Sequence, residues 1–174
     1  MQQFFSITLI CLCIFSLNSC RKLRTFEMDY STLLLIPSQT GINLPFNFYS
    51  PNIVTNSKAR FESEGTSTKY VNTIFLSHLK LTVTNPSTAD FDFLNEVQIF
   101  ISTPNQSEVL IAEKKNIPEE QLKSIICDLK NVNLKDYISD EYYELRIRTV
   151  TNQINTQDIT IRADQQYTVE AKIR

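Results

Sequence analysis

Four oxygen-bearing side chains in the segment "DFDFLNE" have types that could bind a metal ion. Asp90 and Asp92 lie two residues apart, and Asn95 and Glu96 follow closely. Calcium accepts carboxylate and amide oxygens, but this spacing is not that of an EF-hand loop and lacks the glycine at its bend. Asp and Asn also favour turns, because their side chains hydrogen-bond to nearby backbone. We therefore expect a turn at the entry to a strand, and no metal site.

A second acidic segment, "SDEYYE", could supply a pair of catalytic carboxylates. It contains Asp140, Glu141 and Glu144, with Asp136 shortly before it. Glycoside hydrolysis needs two carboxyl groups held about 5 to 10 Å apart. Carboxylates on a solvent-exposed loop give the same pattern, so catalysis would require the Asp90 and Asp140 clusters to meet in one cleft. The sequence favours a protein that is not an enzyme.

The other residues that commonly carry chemistry are few. His78 is the single histidine, so a conventional Ser-His-Asp triad or two-histidine zinc site is not expected. Gly41 and Gly65 lie far apart and form no glycine-rich loop for a phosphate. A net charge of −2, without a basic stripe, gives no sign of a nucleic-acid partner. We expect no cofactor, no nucleotide and no nucleic acid.

An apolar stretch, Phe4 to Leu17, precedes all the charged residues. Its length of about 14 residues is short for a membrane span, which needs roughly 20. It fits the apolar region of a secretory signal, which runs about 7 to 15 residues. The distribution of charge argues against a secretory signal, because no Lys or Arg precedes the stretch whereas Arg21, Lys22 and Arg24 follow it. An uncleaved anchor therefore stays an alternative.

The end of this stretch, Leu17-Asn18-Ser19-Cys20, resembles the lipobox of bacterial lipoproteins. The resemblance covers the first 20 residues and implies that Cys20 receives a diacylglyceryl group after cleavage in front of it. It further implies a protein of the bacterial cell envelope held on the membrane by its lipid, with the basic residues after Cys20 at the headgroups. Because those residues are basic and not acidic, we expect the protein to face the periplasm and not the cell surface.

The chain after Cys20 predicts one domain with a single core. We expect a signal peptide at 1–19, the lipidated cysteine and a short stalk at 20–25, and the domain at 26–174. Cys11 and Cys13 would leave with the signal peptide, which leaves Cys127 as the one thiol. Since Cys127 has apolar neighbours, we interpret it as a small buried hydrophobic residue.

Period-two patterns dominate the predicted domain. Val97, Ile99 and Ile101 share one face of "EVQIFIS", which should pair with "EVLIAEK" as a hairpin. Other predicted strands are "TFEMDYSTLLLI", "LPFNFYS", "KARFES", "KYVNTIF", "HLKLTVTN", "YELRIRTVT", "DITIR" and "YTVEAKIR". This pattern predicts an all-β fold, an antiparallel immunoglobulin-like sandwich of about seven to nine strands.

One segment, residues 118–130, is ambiguous. Leu122, Ile125, Ile126 and Leu129 have helical spacing after Pro118, which predicts one short helix. The alternative is a strand over 124–129 with Ile125, Cys127 and Leu129 on one face. The following "NLKDYIS" favours a single helical turn.

Three functions remain open. The first is a non-catalytic, lipid-anchored envelope protein that binds an unknown protein, cell-wall or glycan partner. The second is a carrier of a lipid or other apolar ligand, whose cavity the aromatic side chains Phe26, Tyr30, Phe46, Phe48 and Tyr49 would line. The third is a hydrolase that uses the acidic loop residues.

Overall fold

A computed structural model describes residues 23–38, 44–154 and 156–172, which form ten strands and two short helices. The strands are β1 (Leu23–Ile36), β2 (Pro45–Tyr49), β3 (Ile53–Val54), β4 (Val71–Asn85), β5 (Leu94–Ser102), β6 (Val109–Lys115), β7 (Ser124–Ile126), β8 (Asp128–Leu129), β9 (Tyr142–Thr151) and β10 (Ile159–Lys172). The helices are α1 (Ser57–Ser63) and α2 (Lys135–Ile138), and a 3-10 turn spans Thr68–Tyr70.

The strands form two antiparallel sheets. The four-stranded sheet has the order β1-β10-β4-β7, and the six-stranded sheet has the order β2-β9-β5-β6-β8, with β3 also paired to β9. This arrangement confirms the predicted all-β antiparallel sandwich. The strand count exceeds seven to nine because β3 and β8 are only two residues long.

Alternating side chains of both sheets build the core. Val97, Ile99 and Ile101 of β5 are buried as predicted, and β5 pairs antiparallel with β6. On β9, which contains the predicted strand "YELRIRTVT", alternating residues are also buried: Tyr143, Leu145, Ile147 and Thr149. Some predicted strands are continuous: "KYVNTIF" and "HLKLTVTN" are both parts of β4, and "DITIR" and "YTVEAKIR" are both parts of β10. Bulges in the β4–β10 pairing adjust which residues face inward.

The first strand begins earlier than predicted. β1 pairs with β10 without interruption from Leu23, opposite Lys172, to Ile36, opposite Ile159. Residues 23–25, expected in a stalk over 20–25, are therefore part of the sheet. Arg24 is held there by an ion pair of 2.7 Å with Glu64.

The predicted helix near 118–130 is not formed. The strand alternative over 124–129 is correct in part, because the segment forms two short strands, β7 and β8, and Leu129, which it placed on the face of Ile125 and Cys127, is 37% exposed. The chain runs along β4 as β7 and then crosses to the other sheet as β8. Ile125 and Cys127 are buried, whereas Ile126 is 58% exposed, so the residues at helical spacing do not form one buried face. Backbone pairing with β4 outweighs the local helical pattern, and Gln121 has a positive φ of 55° that interrupts a helix.

The segment "KARFES" was predicted as a strand, which is wrong, because it forms α1. Ser57 and Phe61, four residues apart, are its buried side chains, and they lie on one helical face. The single helical turn predicted in "NLKDYIS" is confirmed as α2. Within the three described ranges, the structure has no helix with the length and apolar character to cross a bilayer.

Candidate functional site

Two rows of outward side chains cross the six-stranded sheet. Because Leu145 and Ile147 of β9 face the core, Arg146 and Arg148 must face solvent. Strand register sets Tyr49, Arg146 and Phe100 in one row, and Asn47, Arg148 and Gln98 in the next. We call these six residues the arginine face.

Arg146 is fully engaged within this face. Its Nε and Nη2 donate to the two carboxylate oxygens of Glu108 at 2.5 and 2.6 Å, and its Nη1 donates to Asn47 Oδ1 at 2.5 Å. Its guanidinium carbon lies 4.0 Å from the centre of the Phe100 ring. The hydrogen bond from Arg146 is the main cause that lowers the pKa of Glu108. These contacts fix the guanidinium, so its role is to order the face.

Arg148 has far fewer partners. Its side chain is half-buried, and its Nη1 donates to Gln98 Oε1 at 2.9 Å. Among the described residues no carboxylate pairs with it, although a guanidinium carries five N–H donors. Tyr49, at the edge of the face, is 59% exposed. A planar cation with spare donors beside an exposed ring can bind a ligand rich in hydroxyl or carboxylate groups.

The Asp90 segment is a turn, as predicted. The Asp92 amide donates to Asp90 Oδ1 at 3.1 Å, and Asp92 Oδ1 accepts a hydrogen bond of 2.7 Å from the Gln121 amide. Both carboxylates therefore accept hydrogen bonds from backbone amides. In the part of the chain that the structure describes, no three His, Cys, Asp or Glu side chains are grouped to hold a metal ion.

The Asp140 segment has a similar role at the other end of β5. Asp140 Oδ2 accepts a short hydrogen bond from the Thr103 hydroxyl, and Asp140 Oδ1 accepts one of 3.1 Å from Asn105 Nδ2. Asp140 thus holds the loop after β5, whereas Asp90 lies in the loop before it. The nine residues of β5 separate the two clusters by roughly 30 Å. They do not meet in one cleft.

An open depression of about 470 Å³ lies between α1 and the Asp140 segment. Thr55, Asn56 and Lys58 line one side of it, and Asp140 lines the other. The Thr55 hydroxyl donates to the Asp140 carbonyl at 2.6 Å, so polar groups of the two sides bind each other. The depression offers no separate set of converging groups.

Three further residues were singled out in the sequence: Cys127, His78 and Cys20. Cys127 is 3% exposed, and burial raises the pKa of its thiol to about 12. His78 is a half-buried residue of β4, as expected. Cys20, the predicted site of lipid attachment, lies outside the described residues.

The aromatic side chains that would line a carrier's cavity instead pack against other rings. Phe26 contacts Phe61 edge-on at 6.2 Å between ring centres. Tyr30 contacts both Tyr143 and Tyr167 at 5.7 Å. These contacts are typical of core packing. Phe46 likewise packs on Phe48, while Tyr49 points outward.

Sequence reasoning missed the arginine face. It predicted "YELRIRTVT" as a strand, which contains Arg146 and Arg148, but it did not combine these arginines with Tyr49, Asn47, Gln98 and Phe100. The alternation in "YELRIRTVT" was the available signal. The neighbours across the sheet depend on strand order, which alternation does not contain.

No family model and no curated protein sequence matches this chain. Solved structures with a similar chain trace include the 60-mer BFDV capsid protein, at 9% identity and a TM-score of 0.47, covering 89% of this chain and 96% of that one. Turnip yellow mosaic virus gives 14% identity and a TM-score of 0.35, with 88% and 96% covered. FLHE gives 8% identity and a TM-score of 0.32, with 84% and 97% covered. At these TM-scores the similarities assign no function.

Proposed function

We propose that this chain is a lipid-anchored, non-catalytic protein of the bacterial cell envelope, and that its sandwich binds an envelope protein, cell-wall or glycan partner. The observation that carries the proposal is the start of β1 at Leu23, three residues after Cys20. Every strand that the structure describes follows Cys20. Cleavage in front of Cys20 would therefore remove none of the described strands.

The lipid would hold the domain on the membrane. One fatty chain binds a bilayer only marginally, whereas two or three chains together anchor stably. The basic residues Arg21, Lys22 and Arg24 favour a periplasm-facing site. Cys127 suits an oxidising compartment, because a lone thiol that is 3% exposed is protected from pairing with other chains.

The positions of the acidic residues support a non-catalytic role. Asp90, Asp92 and Asp140 each accept hydrogen bonds that hold loops, and the two clusters lie at opposite ends of β5. Carboxylates that hold loops, in two clusters at opposite ends of a nine-residue strand, do not form a pair across one cleft of the kind that glycoside hydrolysis needs.

The arginine face is the surface that we assign to partner binding. Tyr49 supplies an exposed ring, and Arg148 supplies N–H donors that no carboxylate of the described chain occupies. Because Arg146 is fixed by Glu108, Asn47 and Phe100, the face is ordered before a ligand arrives, which lowers the entropic cost of binding.

Mass spectrometry of the amino-terminal peptide from membranes of expressing cells tests the anchor. We expect a diacylglyceryl-modified peptide that begins at Cys20, and loss of both cleavage and lipid in Cys20→Ala. Cys13→Ala is the matched control, because it removes another thiol of the same stretch and should leave processing unchanged. An intact Met1 or Gln2 terminus without lipid in the parent protein would overturn the proposal.

The core packing of Phe26 and Tyr30 argues against the alternative expectation, a carrier of an apolar ligand. Native mass spectrometry of gently purified protein separates the two. A carrier would retain a bound lipid, whereas the binding protein that we propose would have the mass of its own chain and anchor.

A further inference from the structure

The two chain termini of the described domain lie at one end of the four-stranded sheet. Leu23 is opposite Lys172 in the β1–β10 pairing, and the Thr66 hydroxyl donates to the Lys172 carbonyl at 2.7 Å. Arg24 contacts Glu64 just after α1. We call this surface the basal end, formed by Leu23, Arg24, Lys172 and the segment 64–70.

The proposed anchor would hold the basal end close to the membrane. Only Arg21 and Lys22 separate Cys20 from Leu23. Three Cα–Cα steps span at most about 11 Å, even when the chain is fully extended. A lipid on Cys20 therefore places the basal end at the headgroups.

Basic residues are concentrated at the basal end. Lys69 and Lys172 have no ion-pair partner among the described residues, and Arg24 shares Glu64 with Arg60. Sequence adds Arg21 and Lys22 before Leu23, and Arg174 two residues after Lys172. The acidic residues nearby are Glu62 in α1, Glu64 just after it, and Glu170 of β10, which lies two residues before Lys172. The described residues of the basal end, with Arg60, therefore carry an excess of one positive charge, to which Arg21, Lys22 and Arg174 add three.

Acidic and basic residues are more evenly balanced in the part of the basal end that lies below the six-stranded sheet. Asp136, Asp140 and Glu141 lie there, with Lys135 at the start of α2 and Lys58 in α1. The excess of positive charge is therefore located under the four-stranded sheet, on the side where the chain comes from Cys20.

The opposite end of the sandwich has the reverse charge. The loops of this end include 86–93, 116–123 and 152–158, which the structure describes except for residue 155. The loops are joined to each other: the Phe91 amide donates to the Leu122 carbonyl, and Asn152 Nδ2 donates to Glu119. Their charged residues are Asp90, Asp92, Glu119, Glu120 and Asp158, against Lys123 alone. β1, with 14 residues, separates the ends by about 45 Å, several Debye lengths.

We infer that the sandwich stands on a membrane surface rich in anionic phospholipid, with the basal end on the headgroups and the acidic loops pointing away. This inference rests on the proposed anchoring at Cys20, and it adds the lipid class and the orientation of the domain. An anionic surface attracts the basal end and repels the acidic loops, so the charge distribution and the short tether favour the same orientation.

Vesicle binding tests the charge recognition without the anchor. A chain of residues 21–174 retains every described strand and helix, and it contains neither the apolar stretch nor Cys20. We expect it to sediment with phosphatidylglycerol-containing vesicles but not with pure phosphatidylcholine vesicles, and to be released by 0.5 M NaCl, a concentration set for the experiment at roughly three times physiological ionic strength.

Two matched variants locate the contact. Lys69→Gln with Lys172→Gln should weaken binding about fivefold for each lysine, or roughly 25-fold together. Lys114→Gln with Lys115→Gln removes the same charge from β6 and should change binding less than twofold. Equal binding to both vesicle types, or equal losses in the two variants, would overturn the inference.

Energy transfer in the anchored protein tests the orientation. A donor dye on Lys69→Cys should be quenched strongly by acceptor-labelled headgroups, and a dye on Glu120→Cys should not. Cys127 is 3% exposed and does not compete for the dye. Strong quenching at Glu120 would contradict the orientation even if the domain bound anionic vesicles.

The two proposals can fail separately. An unlipidated terminus with intact vesicle binding would remove the anchor and keep an anionic-lipid contact. A lipidated Cys20 with no vesicle selectivity would keep the anchor and remove the contact.

Discussion

Tyr143 and Tyr167 lie on opposite sheets of the sandwich and donate to the same atom. Each hydroxyl is 2.9 Å from Oε1 of Gln165, and all three side chains are buried. The rings also contact each other edge-on, at 6.3 Å between their centres. Gln165 is therefore a polar link across the core, and it satisfies both hydroxyls with one oxygen.

Gln165→Leu should destabilise the domain more than loss of either hydroxyl. The leucine would leave two buried donors without an acceptor, a cost of about 2–5 kcal/mol in the free energy of unfolding. Tyr167→Phe should cost only about 1 kcal/mol, because Gln165 keeps Tyr143 as a partner. Urea unfolding of residues 21–174 measures both.

The triple variant Gln165→Leu, Tyr143→Phe, Tyr167→Phe is the control for this explanation. It removes the acceptor and both donors, so it should be more stable than Gln165→Leu alone. If the three losses simply add, the shared acceptor is not the reason for the destabilisation.

Stability should fall as the pH rises above about 10. Burial raises the pKa of Tyr30, Tyr143 and Tyr167 above the ordinary value of about 10. Between the unfolded and folded pKa values the unfolded chain has lost protons that the folded chain retains, so the free energy of unfolding decreases with pH. Denaturant titrations from pH 8 to 11 should show a shallower decrease in Tyr143→Phe/Tyr167→Phe than in the parent.

Cys127 should resist alkylation until the domain unfolds. Its thiol is 3% exposed and burial raises its pKa to about 12, so little thiolate is present at pH 8. In residues 21–174 it is the one cysteine. Iodoacetamide with mass detection should modify it in 6 M guanidinium, a strong denaturant by the usual scale, and leave it unmodified in buffer. Rapid modification of the folded protein would contradict the burial.

Arg146→Lys should raise the pKa of the Glu108 carboxyl toward its ordinary value. The hydrogen bond from Arg146 is the main cause of the lowered pKa, and a lysine cannot reproduce both bonds. The parent should lose this contribution to stability as the pH falls through the lowered pKa, and the variant should lose less. NMR titration of the glutamate signals measures the shift. Arg162→Lys is the control, because it makes the same substitution at an arginine that pairs with Asp164 and should leave the pKa of Glu108 unchanged.

Arg148→Ala and Tyr49→Ala should each weaken binding to the partner by about 10- to 100-fold, as expected for an arginine or tyrosine at the centre of a contact. Purified cell-wall glycan is the first probe, measured by pull-down with the domain. Arg162→Ala makes the same change on the outer face of the other sheet and should leave binding unchanged. Loss of binding in Arg162→Ala alone would move the contact to the four-stranded sheet.

Sequence periodicity predicted the inward faces of the long strands but not short elements or pairings. Val97, Ile99 and Ile101 repeat over enough residues to exclude a helix. In α1, which consists of Ser57 and "KARFES", the buried face is Ser57 and Phe61, and the six residues of "KARFES" fit either period. The helical spacing in 118–130 was clear, yet backbone pairing with β4 decided the outcome. A local pattern does not contain the free energy of a neighbouring strand.

The arginine face could not be predicted for a related reason. Its residues come from β2, β5 and β9, and Arg146 and Asn47 are 99 positions apart in sequence. Alternation places each arginine outside, but strand order decides that Asn47 and Gln98 lie beside them.

The position of β10 between β1 and β4 determines when the domain can fold. Among the described strands β1 pairs with β10 alone, and β10 is the tenth of them along the chain. A polypeptide leaving the ribosome therefore cannot complete the four-stranded sheet until β10 has emerged. During passage through a secretion channel, the domain would therefore remain unfolded after its first strand has crossed, because β10 has not yet joined the sheet.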